Sequence, residues 1–291
     1  MFLGHSRFDL ADSCCVKAVY ICADMEGLSG VDHWEQCYDP DDNSPAYLEG
    51  LRHLAADVHA TVEGCVRAGV SDIRVLDGHG RNRQVGLTRM GLHTAARLMT
   101  VTANQPTRFP ELDESVEAVL MVGQHAMAGT LHGFLDHTQN PKEICRYLIN
   151  GEEHGELSQF ALYAGAFGVP LVHVSGDEAL CNEAQRLIDG ISTTPTKKGL
   201  GWNQCALYAV EEVRARITGD VAQALSSSQR VNPFTRSAPL EIAVEFAWSG
   251  LADELASVPG VHRVHARTVS WVIEDLKDIY CWPSVWHPPK R

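Results

Sequence analysis

The sequence predicts an α/β protein, a mostly parallel sheet flanked by helices with a smaller mixed α+β subdomain toward the C-terminus. Three observations predict it. Short apolar runs beginning at Ala18, Ile73 and Ala118 each stop abruptly at glycine and at a carboxylate or histidine. A helical apolar stripe joins the first run to the second, which is the pattern of a βαβ unit. The tail after residue 226 carries an alternating stretch, Leu240 to Phe246, and a second extended stretch from Val261 to Trp271.

The first run ends in Asp24-Met25-Glu26-Gly27-Leu28-Ser29-Gly30. Alternate residues of an extended chain share a side, so Asp24 and Glu26 can face the same way. Two close carboxylates repel unless protonated or joined by a cation, which makes the pair a candidate metal grip as well as a candidate turn or helix cap. Asp39 to Pro45 reads as a solvated loop rich in Pro, Asp and Asn. From Leu48 through Leu51, Leu54, Val58, Val62 and Val66 the apolar residues recur at helical steps until Gly69, with His53 and His59 read as surface or packing residues.

The second run, Ile73 to Leu76, leads into Asp77-Gly78-His79-Gly80. A βαβ crossover leaves its strands parallel, with their ends at one sheet edge. His79 is therefore expected beside Asp24 and Glu26, at the carboxyl edge where open α/β sheets bind ligands. Residues 81–117 carry no readable pattern beyond a polar loop at Arg81-Asn82-Arg83. The third run, Ala118 to Val122, ends in Gly123-Gln124-His125, so three strand ends deliver metal-competent side chains to one edge. His132 and His137 follow in a loop, and an imidazole there can transfer protons near neutrality.

Glu143 to Ile149 reads as a strand turned by Asn150-Gly151, a strong hairpin signal. Gly155-Glu156 then opens a helix, where Glu156 suits either the helix dipole or a metal. His154 reads as a neighbour of that site. Pro170 to Asp177 gives another strand, with Asp177 a cap for the following helix. Residues 192–198 are a further strand, with Lys197 and Lys198 read as solvated, and Trp202 to Leu225 reads mainly as helix. Ser226 to Pro233 reads as a linker or long turn. The chain thus divides into an extension at 1–16, an α/β domain at 17–225 and a mixed subdomain at 226–291.

Composition narrows the partners. A formal charge of −13 and no basic cluster interleaved with aromatics disfavour nucleic acid. Apolar runs fall short of a membrane span, and Met1 to Arg7 lacks the apolar core of a signal peptide, so a cytoplasmic protein is expected. Nine cysteines without any Cys-x-x-Cys spacing suit reduced thiols rather than a disulfide framework or thiolate zinc site.

The motifs around Asp24, His79, His125, His137, Gly155-Glu156-Leu157 and Val244-Glu245-Phe246-Ala247 resemble those of the zinc-dependent D-aminopeptidases associated with dipeptide-transport operons, over roughly residues 17 to 280. The resemblance implies two zinc ions per chain held by Asp24, Glu26, His79, His125 and Glu156. It assigns Asp24 to both ions, Glu26 and His125 to one, and His79 and Glu156 to the other. It makes His137 the catalytic histidine, with His132 as a fallback because the loop from His125 to His137 is one residue longer than the family pattern. It further implies a homo-oligomer that releases N-terminal D-amino acids such as D-Ala from short peptide substrates. A dinuclear metal hydrolase of another amide or ester, or a metal-dependent binding protein without turnover, are the alternatives.

Overall fold

A computed structural model describes residues 16–40, 43–80, 85–101, 108–227 and 231–283. The main sheet has seven strands. β1 (Ala18–Ala23) is an interior strand, flanked by β2 (Asp72–Asp77) and then β3 (Ala96–Leu98) on one side. On the other side lie β4 (Ala118–Gln124), β7 (Leu171–Asp177), β8 (Ser192–Gly201) and β9 (Gln204–Leu207). All neighbours are parallel except the antiparallel pair of β8 and β9. Every residue of β1 and β4 is buried, as their continuous apolar runs require of strands covered on both faces.

One face carries α1 (Pro45–Arg67) and α5 (Val210–Ser226). Ser44 caps α1, its side chain accepting from the Tyr47 amide, and Pro45 sits in the first turn where its missing N–H costs nothing. Leu51, Leu54, Val58 and Val62 of α1 meet Ile217 and Val221 of α5 over the Val19, Ile21 and Leu120 side of the sheet. The expected stripe and its end near Gly69, which has φ +81°, are both found. The opposite face packs Tyr20 and Met121 against α3 (Glu156–Gly165), α4 (Glu178–Leu187) and a second sheet.

That second sheet is antiparallel, in the order β11 (His262–His265), β12 (Thr268–Ile273), β10 (Leu240–Phe246), β5 (Ile144–Ile149) and β6 (Glu152–Glu153). The tail does not build it alone, because β5 and β6 come from the middle of the chain. Register pairs Ile242 with Ile149 and Val244 with Tyr147, so the apolar faces of β10 and β5 enter one core. Asn150 and Gly151 have φ +50° and +81°, as a two-residue hairpin demands, and Asn150 Oδ1 accepts from the Glu241 amide at 2.9 Å.

Two elements differ from the sequence expectation. Trp202 to Leu225 is not one helix: β9 pairs with the edge of β8 before α5 begins at Val210. Within residues 81–117, the short α2 (Val85–Met90) and β3 extend the βαβ pattern. The N-terminal extension through residue 15 and the polar loop at Arg81-Asn82-Arg83 lie outside the described residues.

Candidate active site

β2 and β3 lie to one side of β1, and β4 returns to the other. The reversal opens a crevice beyond the carboxyl ends of β1 and β4, where α/β sheets bind their ligands. Asp24 leaves β1 with its amide donating to the Val122 carbonyl at 2.8 Å, and the Gly27 amide donates to the Gly123 carbonyl at 2.7 Å. This lacing needs glycine at both positions. A Cβ on Gly27 would lie 2.0 Å from the Gln124 carbonyl oxygen, and Gly123 has φ +69°.

β2 delivers His79 after a turn in which the Gly78 amide donates to the Ala23 carbonyl at 2.9 Å, and the Asp77 carboxylate accepts from the Leu87 amide in α2. His79 Nε2 stands 3.3 Å from Glu26 Oε1. β4 delivers His125, whose Nε2 is 3.8 Å from Asp24 Oδ2 and 3.5 Å from Glu156 Oε1 at the start of α3. Glu156 Oε1 also accepts from the Gln139 amide at 2.7 Å.

The His137 ring stacks on that of His125, with centroids 3.8 Å apart and planes 15° apart, and its Nε2 is 3.8 Å from Glu156 Oε1. The six side chains thus form two compact donor groups, Asp24 with Glu26 and His79, and His125 with His137 and Glu156. Within each group the ligand atoms lie within 4.8 Å of one another. Asp24 approaches His125 from the first group, which places it between the two.

The histidines are presented for coordination. His125 Nδ1 contacts the Ala126 carbonyl at 3.0 Å and His137 Nδ1 the Leu135 carbonyl at 2.8 Å. A carbonyl accepts only from N–H, so each Nδ1 carries a proton and Nε2 is the ring atom turned into the cluster. His125 Nε2 is buried and has no hydrogen-bond partner among the described residues, as expected of a nitrogen meant for a cation.

Electrostatics point the same way. Burial, then the Glu26 carboxylate, raise Asp24 well above the usual carboxylate range. Burial also opposes charge on Glu26 and Glu156, but His79 holds Glu26 well below its ordinary value and His125 holds Glu156 at about 2. Reciprocally, burial works against the His79 and His125 cations, yet Glu26 lifts His79 to about 9 and Glu156 raises His125 well above the histidine range. Without a metal, protons on two imidazoles supply the positive charge these carboxylates require.

His132 is exposed, with φ +60°, whereas His137 is buried within the cluster. The loop between them is pinned by Asp177, which caps α4 through the Leu180 amide as expected and also accepts from the Phe134 amide at 2.8 Å. His154 is buried, its Nδ1 3.0 Å from Ser158 Oγ in the first turn of α3.

Lys197 corrects the sequence reading. It is fully buried, its Nζ donating to the Glu26 carbonyl at 2.6 Å and lying 4.5 Å from the centre of the Phe134 ring, while Lys198 is exposed. Arg108 lines a pocket beside Asp24 and Glu156 and has no counterpart in the sequence expectations. Neither residue carries a local signal: one is half of a Lys-Lys pair, the other lies in a stretch without periodicity.

An open parallel sheet with a carboxylate–imidazole cluster at its switch point is the build of a metal-dependent hydrolase. Comparison with known proteins agrees. The chain belongs to the D-aminopeptidase family of peptidases, whose sequence pattern matches residues 18–285. It is 25% identical over 268 residues to a D-aminopeptidase of Bacillus subtilis (strain 168), covering 90% of this chain and 93% of the relative. Among solved structures it resembles the Zn-dependent D-aminopeptidase DppA from Bacillus subtilis, described as a self-compartmentalizing protease. There the TM-score is 0.83 at 25% identity, over 90% of this chain and 94% of that one.

Proposed function

We propose that this peptidase releases N-terminal D-amino acids, such as D-Ala, from short peptides and works with two zinc ions per chain. Asp24, Glu26, His79, His125 and Glu156 would hold them, with Asp24 shared between the two. The observation that carries this reading is the pair of donor groups at one sheet edge, with imidazole nitrogens freed by backbone acceptors on their far sides. Imidazole and carboxylate donors suit zinc, and a structural zinc site would close with four ligands rather than present this many around an open crevice. When bound, zinc supplies Lewis-acid polarisation of a carbonyl and makes water more acidic at neutral pH. The preference for D-residues rests on the family and on the Bacillus relative.

His137 is the catalytic histidine in this account. Its Nδ1–H is committed to the Leu135 carbonyl, so Nε2 faces the cluster with a lone pair able to attack or to take a proton. Stacking on His125 fixes the ring plane, and the Gln139 amide holds Glu156 in place below it. The enzyme is proposed to be cytoplasmic, which the free thiols of Cys37, Cys65, Cys145, Cys181, Cys205 and Cys281 support. No helix among the described residues is long and apolar enough to cross a membrane. By likeness to its self-compartmentalizing relative it is proposed to self-associate, restricting access to small peptides.

The test is His137→Ala assayed for zinc content and for turnover together. The account predicts that the variant retains zinc and loses release of the N-terminal residue by about 100-fold or more, the scale of a lost acid–base group. A variant that sheds its zinc would make His137 a ligand instead. A wild-type protein that binds zinc without releasing any amino acid would make it a binding protein.

A further inference from the structure

Beside the cluster lies a narrow pocket with room for about one water molecule, whose wall includes Asp24 and Glu156, the apolar side chains of Met121 and Phe160, and Arg108. Apart from Arg108, its charged lining groups are carboxylates. Arg108 is half-buried, its guanidinium carbon 5.2 Å above the centre of the Tyr280 ring. Stacking holds the planar fork and leaves its edge donors available. Among the described residues no hydrogen bond or ion pair occupies them, although Glu156 feels the positive charge.

A guanidinium held on an aromatic face, with its fork unspent and a short pocket in front of it, is built for a planar anion. The proposed reaction supplies one. In a dipeptide the terminal carboxylate carbon is separated from the scissile carbonyl carbon by one residue, about 3.6 Å at full extension. A substrate carbonyl placed at the Asp24–Glu156 cluster, with its chain running toward Arg108, would bring its carboxylate to the mouth of this pocket. The acidic side chains there would repel that carboxylate unless a cation met it. We infer that Arg108 binds the C-terminal carboxylate of a dipeptide substrate and so sets the preference for free dipeptides over longer or amidated peptides, an inference that rests on the proposed aminopeptidase reading.

The test uses zinc-loaded protein and a dipeptide isostere that cannot be hydrolysed, D-Ala-D-Ala with its amide reduced to CH2–NH, as the free acid and as the C-terminal carboxamide. Calorimetry on wild type is expected to show the acid binding at least tenfold more tightly than the carboxamide. Arg108→Met is expected to remove that preference while binding the carboxamide as wild type does, and Arg108→Lys to restore part of it. Equal affinity of wild type for acid and carboxamide, or an undiminished preference in Arg108→Met, would overturn the inference. Equal loss of both ligands in Arg108→Met would also overturn it, by showing that the residue only supports the fold or Glu156. Failure of wild type to release D-Ala from D-Ala-D-Ala would instead remove the aminopeptidase reading, and the isostere affinities would still decide the role of Arg108.

Discussion

Lys197 shows how a side chain that never reaches the cluster shapes it. Its ammonium is withdrawn from water and donates to the backbone carbonyl of Glu26, so it positions a proposed ligand through the main chain. Lys197→Met keeps the stem and removes the donor. Outer partners of this kind are worth about 10- to 100-fold in metal affinity, so zinc competition against a chelator is expected to show at least a tenfold loss in the variant. His173 makes a different test. Burial pushes its imidazole down to about 3, against roughly 6.5 in an unfolded chain. The folded state keeps the ring neutral, so its full stability is present above about pH 6.5 and is lost as pH falls toward 3, by about 1.4 kcal/mol per unit. His173→Gln removes that dependence. Unfolding at pH 5 and pH 7 is expected to show wild type losing about 2 kcal/mol more than the variant. At this scale the sequence was legible where residue type and position agreed. Asp24, Glu26, His79 and His125 stood at strand ends, whereas Lys197, in a Lys-Lys pair, gave no sign of burial.

The element that organises the site is the turn after β1. Its backbone is laced to β4 by two hydrogen bonds, and Gly27 passes so close to Gln124 that no side chain fits. Gly27→Ala must therefore push the turn away from β4. An overpacked contact costs about 1–3 kcal/mol, and because the same shift moves Asp24 and Glu26, the variant is expected to lose zinc along with stability, as thermal unfolding with and without zinc will read out. β1, β2 and β4 could be read from the sequence because an apolar run ending in glycine states both the strand and its stop. β6 and β9 could not, since two and four exposed or half-exposed residues are too few to show a period. The partnership of β5 with β10 was equally hidden. Both strands were expected, but pairing across roughly a hundred intervening residues leaves no local mark.

For the whole molecule, the parallel order from β3 to β8 brings the ends of β1, β2 and β4 to one edge, and the start of α3 adds Glu156 to them. That Asp24, Glu26, His79 and His125 would meet at one edge was readable in advance, because strand topology, not sequence proximity, gathers them. Handedness of the substrate has no such signature and depends on the family and its relatives. The most direct test is amino-acid release from D-Ala-D-Ala and from L-Ala-L-Ala by protein stripped with chelator and then restored with zinc. The account predicts no release after stripping and, once zinc is returned, release from the D-peptide at a rate at least tenfold above that from the L-peptide. Equal release from both peptides would contradict the D-specificity, and full activity after complete removal of metal would contradict the proposed centre.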